Sequence, residues 1–379
     1  MNRSGKTVKG VLAAALLIAA GGITPLLAAD GRTYESAGQK FAVEILAERK
    51  DVVWGFDFLP GGRIVFTQAG GTLGTLDVRT RWVETVSGIP AVARVGQGGL
   101  LDVRAHPDFA QNHRIYLTYS EPVGGGKMTT ALGLGRLEGK ELKDYGRLFS
   151  AYEPSSEKIH FGSRIEFDGA GHLFMSMGDR NARNLAQNLG FDNGKIFRFK
   201  LDGSIPADNP YAKAPDARPE IWSYGHRNPQ GLARHPVTGE LWEAEYGPRG
   251  GDEINLIRPA ANYGWPVITY GREYYGPAIG EGTEKAGMEQ PVVSWVPSIS
   301  PSGIGFYSGD KFPAWKGDLF VAALGSQHLR RLSFEGKTVH QEVLLGELGW
   351  RFRHVRQGPD GLLYFSTDEG KLARLVPAP

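Results

Sequence analysis

Six times along the chain a short apolar strand runs into a turn of Pro, Asp or Gly and emerges as a second, alternating strand. The copies are Phe56-Asp57-Phe58-Leu59-Pro60-Gly61-Gly62 into RIVFTQ, then Leu100 to Val103 with His106-Pro107-Asp108 into RIYLTYS. Next come Ile165-Glu166-Phe167-Asp168-Gly169 into HLFMSMGD, and Gly231-Leu232-Ala233 with His235-Pro236 into ELWEAEYG. The last two are Ile304-Gly305-Phe306 with Ser308-Gly309-Asp310 into DLFVAALG, and Val355 with Pro359-Asp360-Gly361 into LLYFSTDEG. The second strands alternate at period two, as Leu173, Met175 and Met177 show, which suits faces packed between neighbouring sheets. The turn residues accept the bent or left-handed backbone that each reversal needs. A long chain of repeated hairpins closes most economically as a ring of four-stranded antiparallel sheets, so the repeat implies an all-β, six-bladed β-propeller. A large open sandwich would leave the sixfold recurrence unexplained. The 53 glycines, spread along the whole chain, supply the many tight turns such a fold requires.

The ring accounts for residues 30–379; residues 1–29 read differently. Arg3, Lys6 and Lys9 precede the apolar stretch Val11 to Ala20, and Leu27-Ala28-Ala29 offers small residues before Asp30. This is the pattern of a secretory signal peptide, and it predicts a periplasmic protein without a membrane anchor. The chain has no cysteine, which removes thiol nucleophiles, zinc–thiolate sites and iron–sulfur clusters. The formal charge of +2, with acids and bases interspersed, excludes a basic stripe for nucleic acid.

Repetition also places the chemistry. Immediately before the first strand of successive copies stand Trp54, Gln97, His160, Arg227-Asn228, Ser302 and Arg351/Arg353. Equivalent positions of successive blades point to one end of the central axis, so these residues should meet in one pocket. His160 precedes a strand in KIHFGSR, and Asp179 ends the partner strand, within reach of one ring nitrogen. A neutral imidazole fixed in this way is suited to general-base work near neutral pH. Arg227 offers a rigid cationic fork, either for a ligand carboxylate or for an acidic neighbour, and Asn228 adds a donor and an acceptor. Arg351 and Arg353, two apart on an extended segment, face the same way. A pocket with convergent guanidiniums wants an anionic ligand, and phosphate-loop signatures are absent, which favours carboxylates. The stretch Glu245 to Glu253 reads as a glycine-rich acidic loop, either an ordinary surface loop or a source of oxygen ligands for calcium. The aromatics of Asn262-Tyr263-Gly264-Trp265-Pro266 and Tyr274-Tyr275 suit core packing, sugar stacking or contact with a cofactor edge.

The stretches VGQGGLLDVRAHPDF, KIHFGSRIEFDGAGHLFMSMGDR, YGHRNPQGLARHP, EYGPRGGDEINLIRPAANYGWPVITYG and FRHVRQGPDGLLYFSTDEG resemble the soluble aldose sugar dehydrogenases and glucose dehydrogenases that use pyrroloquinoline quinone (PQQ). That resemblance implies oxidation of aldoses to aldonolactones with PQQ and Ca2+. It implies His160 as general base and Asp179 as its orienting partner. Gln97, Arg227, Asn228, Arg351 and Arg353 would hold the cofactor, with Tyr274 at its edge. Carbonyls of Gly247 and Pro248 would bind the calcium beside it, and Glu253 with the Tyr263 carbonyl a second, structural calcium. The partners implied are an aldose and an external electron acceptor, in a monomer or homodimer. Glucose dehydrogenase relatives place a lysine on the cofactor from the fifth blade, whereas ALGSQHLRR here has none. Long inserted loops are also missing, which predicts an open site with broad aldose specificity. Other readings of such a ring are a calcium-dependent lactonase, which needs carboxylates and asparagines in the axial slots, and a non-catalytic carbohydrate-binding propeller.

Overall fold

A computed structural model describes Met1 and residues 31–379. The predicted export segment, Met1 apart, lies outside the described residues. Among the described residues no helix is long and apolar enough to cross a membrane.

Each predicted hairpin forms the inner pair of a four-stranded antiparallel sheet. Blade 1 contains Val53–Leu59, Arg63–Gln68, Thr72–Asp77 and Val83–Val86. The inner strands of blades 2 to 6 are Leu100–Ala105, Ile165–Phe167, Pro229–Arg234, Pro301–Phe306 and Phe352–Gln357. These inner strands touch one another in cyclic order, the sixth returning to the first, so the sheets close into the expected ring. Closure uses the two ends of the described chain. Gln39–Glu48 pairs with Lys371–Pro377, from Phe41 opposite Pro377 to Glu48 opposite Lys371, and Tyr34–Ser36 adds a short fifth strand. Aromatic packing seals this seam: Trp315 is fully buried against Phe41, Phe312 and Phe320 at ring distances of 5.3, 4.3 and 5.3 Å. Each such side chain contributes roughly 1.5–3 kcal/mol by leaving water. A single 3-10 turn, Arg183–Gln187, interrupts the connection after the second strand of blade 3.

Because the blades are equivalent, side chains along the inner strands form layers down the axis. Gly55 and Gly303 permit close approach in the middle layer, where an added Cβ would strike Asp102 of blade 2 and His354 of blade 6 respectively. The layer nearer the far mouth holds Asp57, Arg104, Glu166 and Arg356 from blades 1, 2, 3 and 6. Arg104 donates to Asp57 at 3.1 Å and, with both terminal nitrogens, to Glu166 at 3.0 and 3.1 Å. Arg356 lies 3.4 Å from Asp57 and 3.7 Å from Glu166. Burial by itself would raise both carboxyls, and the two guanidiniums overcome it, leaving Asp57 and Glu166 below their ordinary range. Alternating charge thus ties four blades together at the end of the axis opposite His160.

Candidate active site

His160 follows the blade 2–3 connection with its backbone in the left-handed region, φ 56°, as are Ser163 (80°) and Arg180 (52°) beside it. Non-glycine residues adopt this conformation at a cost and hold it only where the surroundings impose it. Several bonds do so here. The His160 backbone N–H donates to Gln97 Oε1 at 2.8 Å. Arg180 stacks over Phe161 at 3.6 Å and donates Nε to the Ile159 carbonyl at 2.9 Å and Nη2 to that of Glu157. Nδ1 of His160 meets Oδ1 of Asp179 at 2.7 Å in a buried pair. Because the carboxylate accepts, Nδ1 carries the hydrogen and Nε2 keeps its lone pair. Burial holds the imidazole below its ordinary pKa despite the opposing pull of Asp179. Asp179 itself stays below the usual carboxylate range, since His160 and Arg227 outweigh its burial. A neutral, oriented imidazole is the form a general base needs.

Gln97 connects this pair to an axial cavity of about 240 Å³, lined among others by Trp54, Arg94, Gln97, Tyr246, Arg351 and Arg353. Arg351 and Arg353 do face the same way, and they share one carboxylate: Arg353 Nε and Nη2 meet Asp368 at 2.7 and 3.0 Å, and Arg351 Nε meets it at 3.0 Å. Arg353 also donates to Gln230 at 3.0 Å. Arg94 reaches the cavity wall from the blade 1–2 connection, donating to the carbonyls of Gly96 and Gly98, with Asp51 only at 3.9 Å. Among the lining residues three guanidiniums face one carboxylate, Asp368, with Asp51 and Glu369 behind them, so the cavity wall itself is cationic. Arg227 completes that side: Nη1 donates to the Tyr246 carbonyl at 3.1 Å, and the guanidinium lies 5.4 Å from the Trp265 ring. A larger cleft of about 700 Å³ opens at the far mouth, but its inward charges, Asp57, Arg104 and Glu166, are satisfied by one another. Chemistry favours the smaller cavity.

The other predicted positions divide. Asn228 is buried, its Oδ1 accepting from the Gly162 N–H at 3.2 Å, so it supports the base segment. Tyr274 is 68% exposed, its carbonyl accepting from Arg249, and its ring is not buried against the arginines. The fifth blade meets the cavity at Leu324, whose carbonyl accepts from Arg351 at 3.1 Å. The acidic stretch is only partly a loop: Glu245 ends the strand Leu241–Glu245, and Asp252 and Glu253 begin Asp252–Ile257. Alternation brought their side chains into register with partners that the reading as one continuous loop had missed. Between them, the Gly247 N–H donates to Asp252 at 2.9 Å, and a Cβ on Gly247 would collide with the carbonyls of Gly250 and Gly251. This is a tight, carbonyl-rich turn with the donor chemistry that calcium takes.

Glu253 lies opposite Glu245, and Glu243 opposite Asn255, on one face of blade 4. Asn255 donates to Glu243 and Glu253 at 3.1 and 3.2 Å, while Glu245 accepts the backbone N–H groups of Arg227 and Asn228 at 2.7 and 3.3 Å. His226, Glu243 and Glu245 offer ligand atoms within 4.8 Å of one another, and the Tyr263 ring stacks on His226 at 4.7 Å. Glu243 Oε1, Asn255 Oδ1 and His226 Nδ1 are buried without a hydrogen bond. Burial first, and the neighbouring Glu245 second, push Glu243 well up and Glu253 up to about 8. Three buried carboxylates beside the unbonded Glu243 Oε1, Asn255 Oδ1 and His226 Nδ1 fit a divalent cation, whose charge would offset the repulsion among them. Glu243, Glu245 and His226 were not singled out as ligands from sequence, because LWEAE reads as an ordinary alternating strand.

A ring with a cationic axial cavity, a fixed neutral histidine and oxygen-rich turns is built for redox or acyl chemistry on a polar substrate, with an anionic group held beside the base. The chain matches the profile of the Glucose / Sorbosone dehydrogenase family over residues 50–374, and it belongs to that family. It is 45% identical to the aldose sugar dehydrogenase YliI of Escherichia coli over 343 residues, covering 88% of this chain and 92% of that one. The crystal structure of the soluble aldose sugar dehydrogenase of Escherichia coli in its apo form superposes with a TM-score of 0.86 at 43% identity, covering 89% of this chain and all (100%) of that one. The PQQ-bound aldose sugar dehydrogenase of Streptomyces coelicolor superposes with a TM-score of 0.73 at 27% identity, covering 89% and 98%.

Proposed function

We propose that this protein oxidises aldoses at the anomeric carbon to aldonolactones, using PQQ and calcium, after export to the periplasm. The observation that carries the reading is the buried His160–Asp179 pair joined through Gln97 to a cavity with an excess of guanidinium charge. The relatives' names, among them the quinoprotein glucose dehydrogenase B of Acinetobacter calcoaceticus, point the same way. When bound, PQQ supplies a carbonyl that accepts hydride, and calcium polarises that carbonyl. Arg351, Arg353, Arg94 and Arg227 would hold the cofactor's carboxylates and Gln97 its edge, and the Gly247 and Pro248 carbonyls would bind a calcium. Nε2 of His160 takes the proton of the anomeric hydroxyl as the C–H hydride leaves, and Asp179 stabilises the imidazolium that forms. Glu253 and the Tyr263 carbonyl, with the neighbouring carboxylates, would bind a second, structural calcium. Arginines in the axial slots disfavour the lactonase alternative, which needs carboxylates there.

Purified apoprotein given PQQ and calcium should reduce a redox dye in proportion to added aldose, across several aldoses. PQQ that fails to bind, or that binds without sugar-dependent turnover, would overturn the reading. Calcium added to chelated apoprotein should raise the unfolding midpoint, by an increment equivalent to about 2.7 kcal/mol at a hundredfold excess over its dissociation constant. Glu253→Gln should abolish most of that increment; an unchanged increment would remove Glu253 from the site.

A further inference from the structure

Only Oδ1 of Asp179 faces His160. Oδ2 accepts the indole N–H of Trp265 at 2.8 Å, from a ring that is 5% exposed. The ring is held on several sides. The Trp265 backbone N–H donates to the Gly225 carbonyl at 2.9 Å, and its carbonyl accepts Gln187 Nε2 at 2.8 Å. Gln187 and Asn262 exchange a reciprocal pair of amide bonds at 2.9 and 2.8 Å. The guanidiniums of Arg183 and Arg227 lie 5.6 and 5.4 Å from the ring. An indole held this firmly can donate in one direction only.

We propose that Trp265 is a positioning residue for the oxidation: its N–H pins Asp179 Oδ2, so that Oδ1 fixes the His160 tautomer while the carboxylate's pull on the imidazole is moderated. The inference rests on the reading of His160 as the base. A donor to the charged carboxylate spreads and stabilises its negative charge. Asp179, whose Oδ1 also accepts the Asn181 backbone N–H at 2.8 Å, then holds the Nδ1 hydrogen in place yet stabilises imidazolium less than it would without the indole donor. The base is kept both oriented and readily neutral. Other charges facing the pair are Arg227 and Arg180 toward His160, and Arg227 and Arg183 toward Asp179. Behind them, Glu157 faces Arg180 and Glu273 pairs with Arg183. All of these remain in Trp265→Phe, so that substitution isolates the indole N–H.

The test reads His160 directly, by its imidazole nitrogen resonances against pH in apoprotein, without cofactor or turnover. In Trp265→Phe the His160 midpoint should rise by about half to one pH unit, the net worth of one ordinary hydrogen bond. In the PQQ- and calcium-loaded enzyme the acid limb of kcat/KM should move up by the same amount and kcat should fall about tenfold, with KM for the aldose within twofold. A midpoint unchanged from the wild type, or a variant whose only defect is a lower unfolding temperature, would overturn the proposal. Should the variant fail to fold, the wild-type indole N–H resonance of Trp265 serves instead: it must titrate with the His160 midpoint, and a flat response would overturn the proposal. His160→Gln, run in parallel, separates the two claims. Full activity in that variant sinks the general base itself, whereas its loss beside a normal Trp265→Phe sinks only the role of the tryptophan.

Discussion

Replacing His160 with Gln is expected to lower aldose turnover by about two to four orders of magnitude, the usual worth of a positioned base, while PQQ still binds. Glutamine preserves bulk and polarity but cannot take a proton. The cofactor-holding cations are contributed by other blades, so binding measured by fluorescence titration should stay within a few-fold of the wild type. The same pair sets the pH dependence. Burial holds His160 below its ordinary value of 6.5, so the neutral base persists to lower pH. The acid limb of kcat/KM should therefore fall below pH 6.5 in the wild type. Turnover of His160→Gln within threefold of the wild type, or an acid limb well above 6.5, would remove this histidine from the role.

Arg104→Met should cost about 3–5 kcal/mol of stability, measured by urea unfolding, because it leaves a buried cluster with one cation where it had two. Asp57 and Glu166 are almost wholly buried, and Arg356, at 3.4 and 3.7 Å, is too distant to replace a bidentate contact. Acid should expose the same dependence. Both carboxyls titrate below their unfolded values in the folded protein, so their contribution is complete above about pH 4–5 and is lost as pH falls through the folded values. PQQ affinity of the folded fraction should be unaffected, since the network sits at the opposite end of the axis. A cost under 1 kcal/mol would show that Arg356 and solvent suffice to hold the two acids.

The ring was legible from sequence because each copy couples a period-two strand to a turn residue with special backbone freedom, and that coupling survives irregular spacing. Equivalence of blades pointed Gln97, His160, Arg227 and Arg353 toward one mouth; in the structure Gln97 and Arg353 line one cavity, and His160 is bonded to Gln97 behind its wall. What escaped has physical reasons. In a propeller both faces of a blade are buried against neighbours, so polar residues that alternate with apolar ones, such as Glu243 and Glu245, do not face water as they would in an open sheet. Asp368 stood only as the polar end of the strand run LLYFSTDEG, although it clasps both pocket arginines. Trp265 resembled core packing until its N–H could be seen on Asp179. Tyr274 illustrates the converse: proximity in sequence to a specific motif did not bury its ring, because the segment around it is anchored through Glu273 and Arg249 with the ring outward.

A crystal structure of the protein loaded with PQQ and calcium tests the central claim most directly. The quinone is expected in the Gln97–Arg353 cavity, with its carboxylates on the arginines and its reacting carbonyl opposite Nε2 of His160. PQQ seated in the cleft at the far mouth, or in the cavity with its carbonyls turned away from His160, would contradict it.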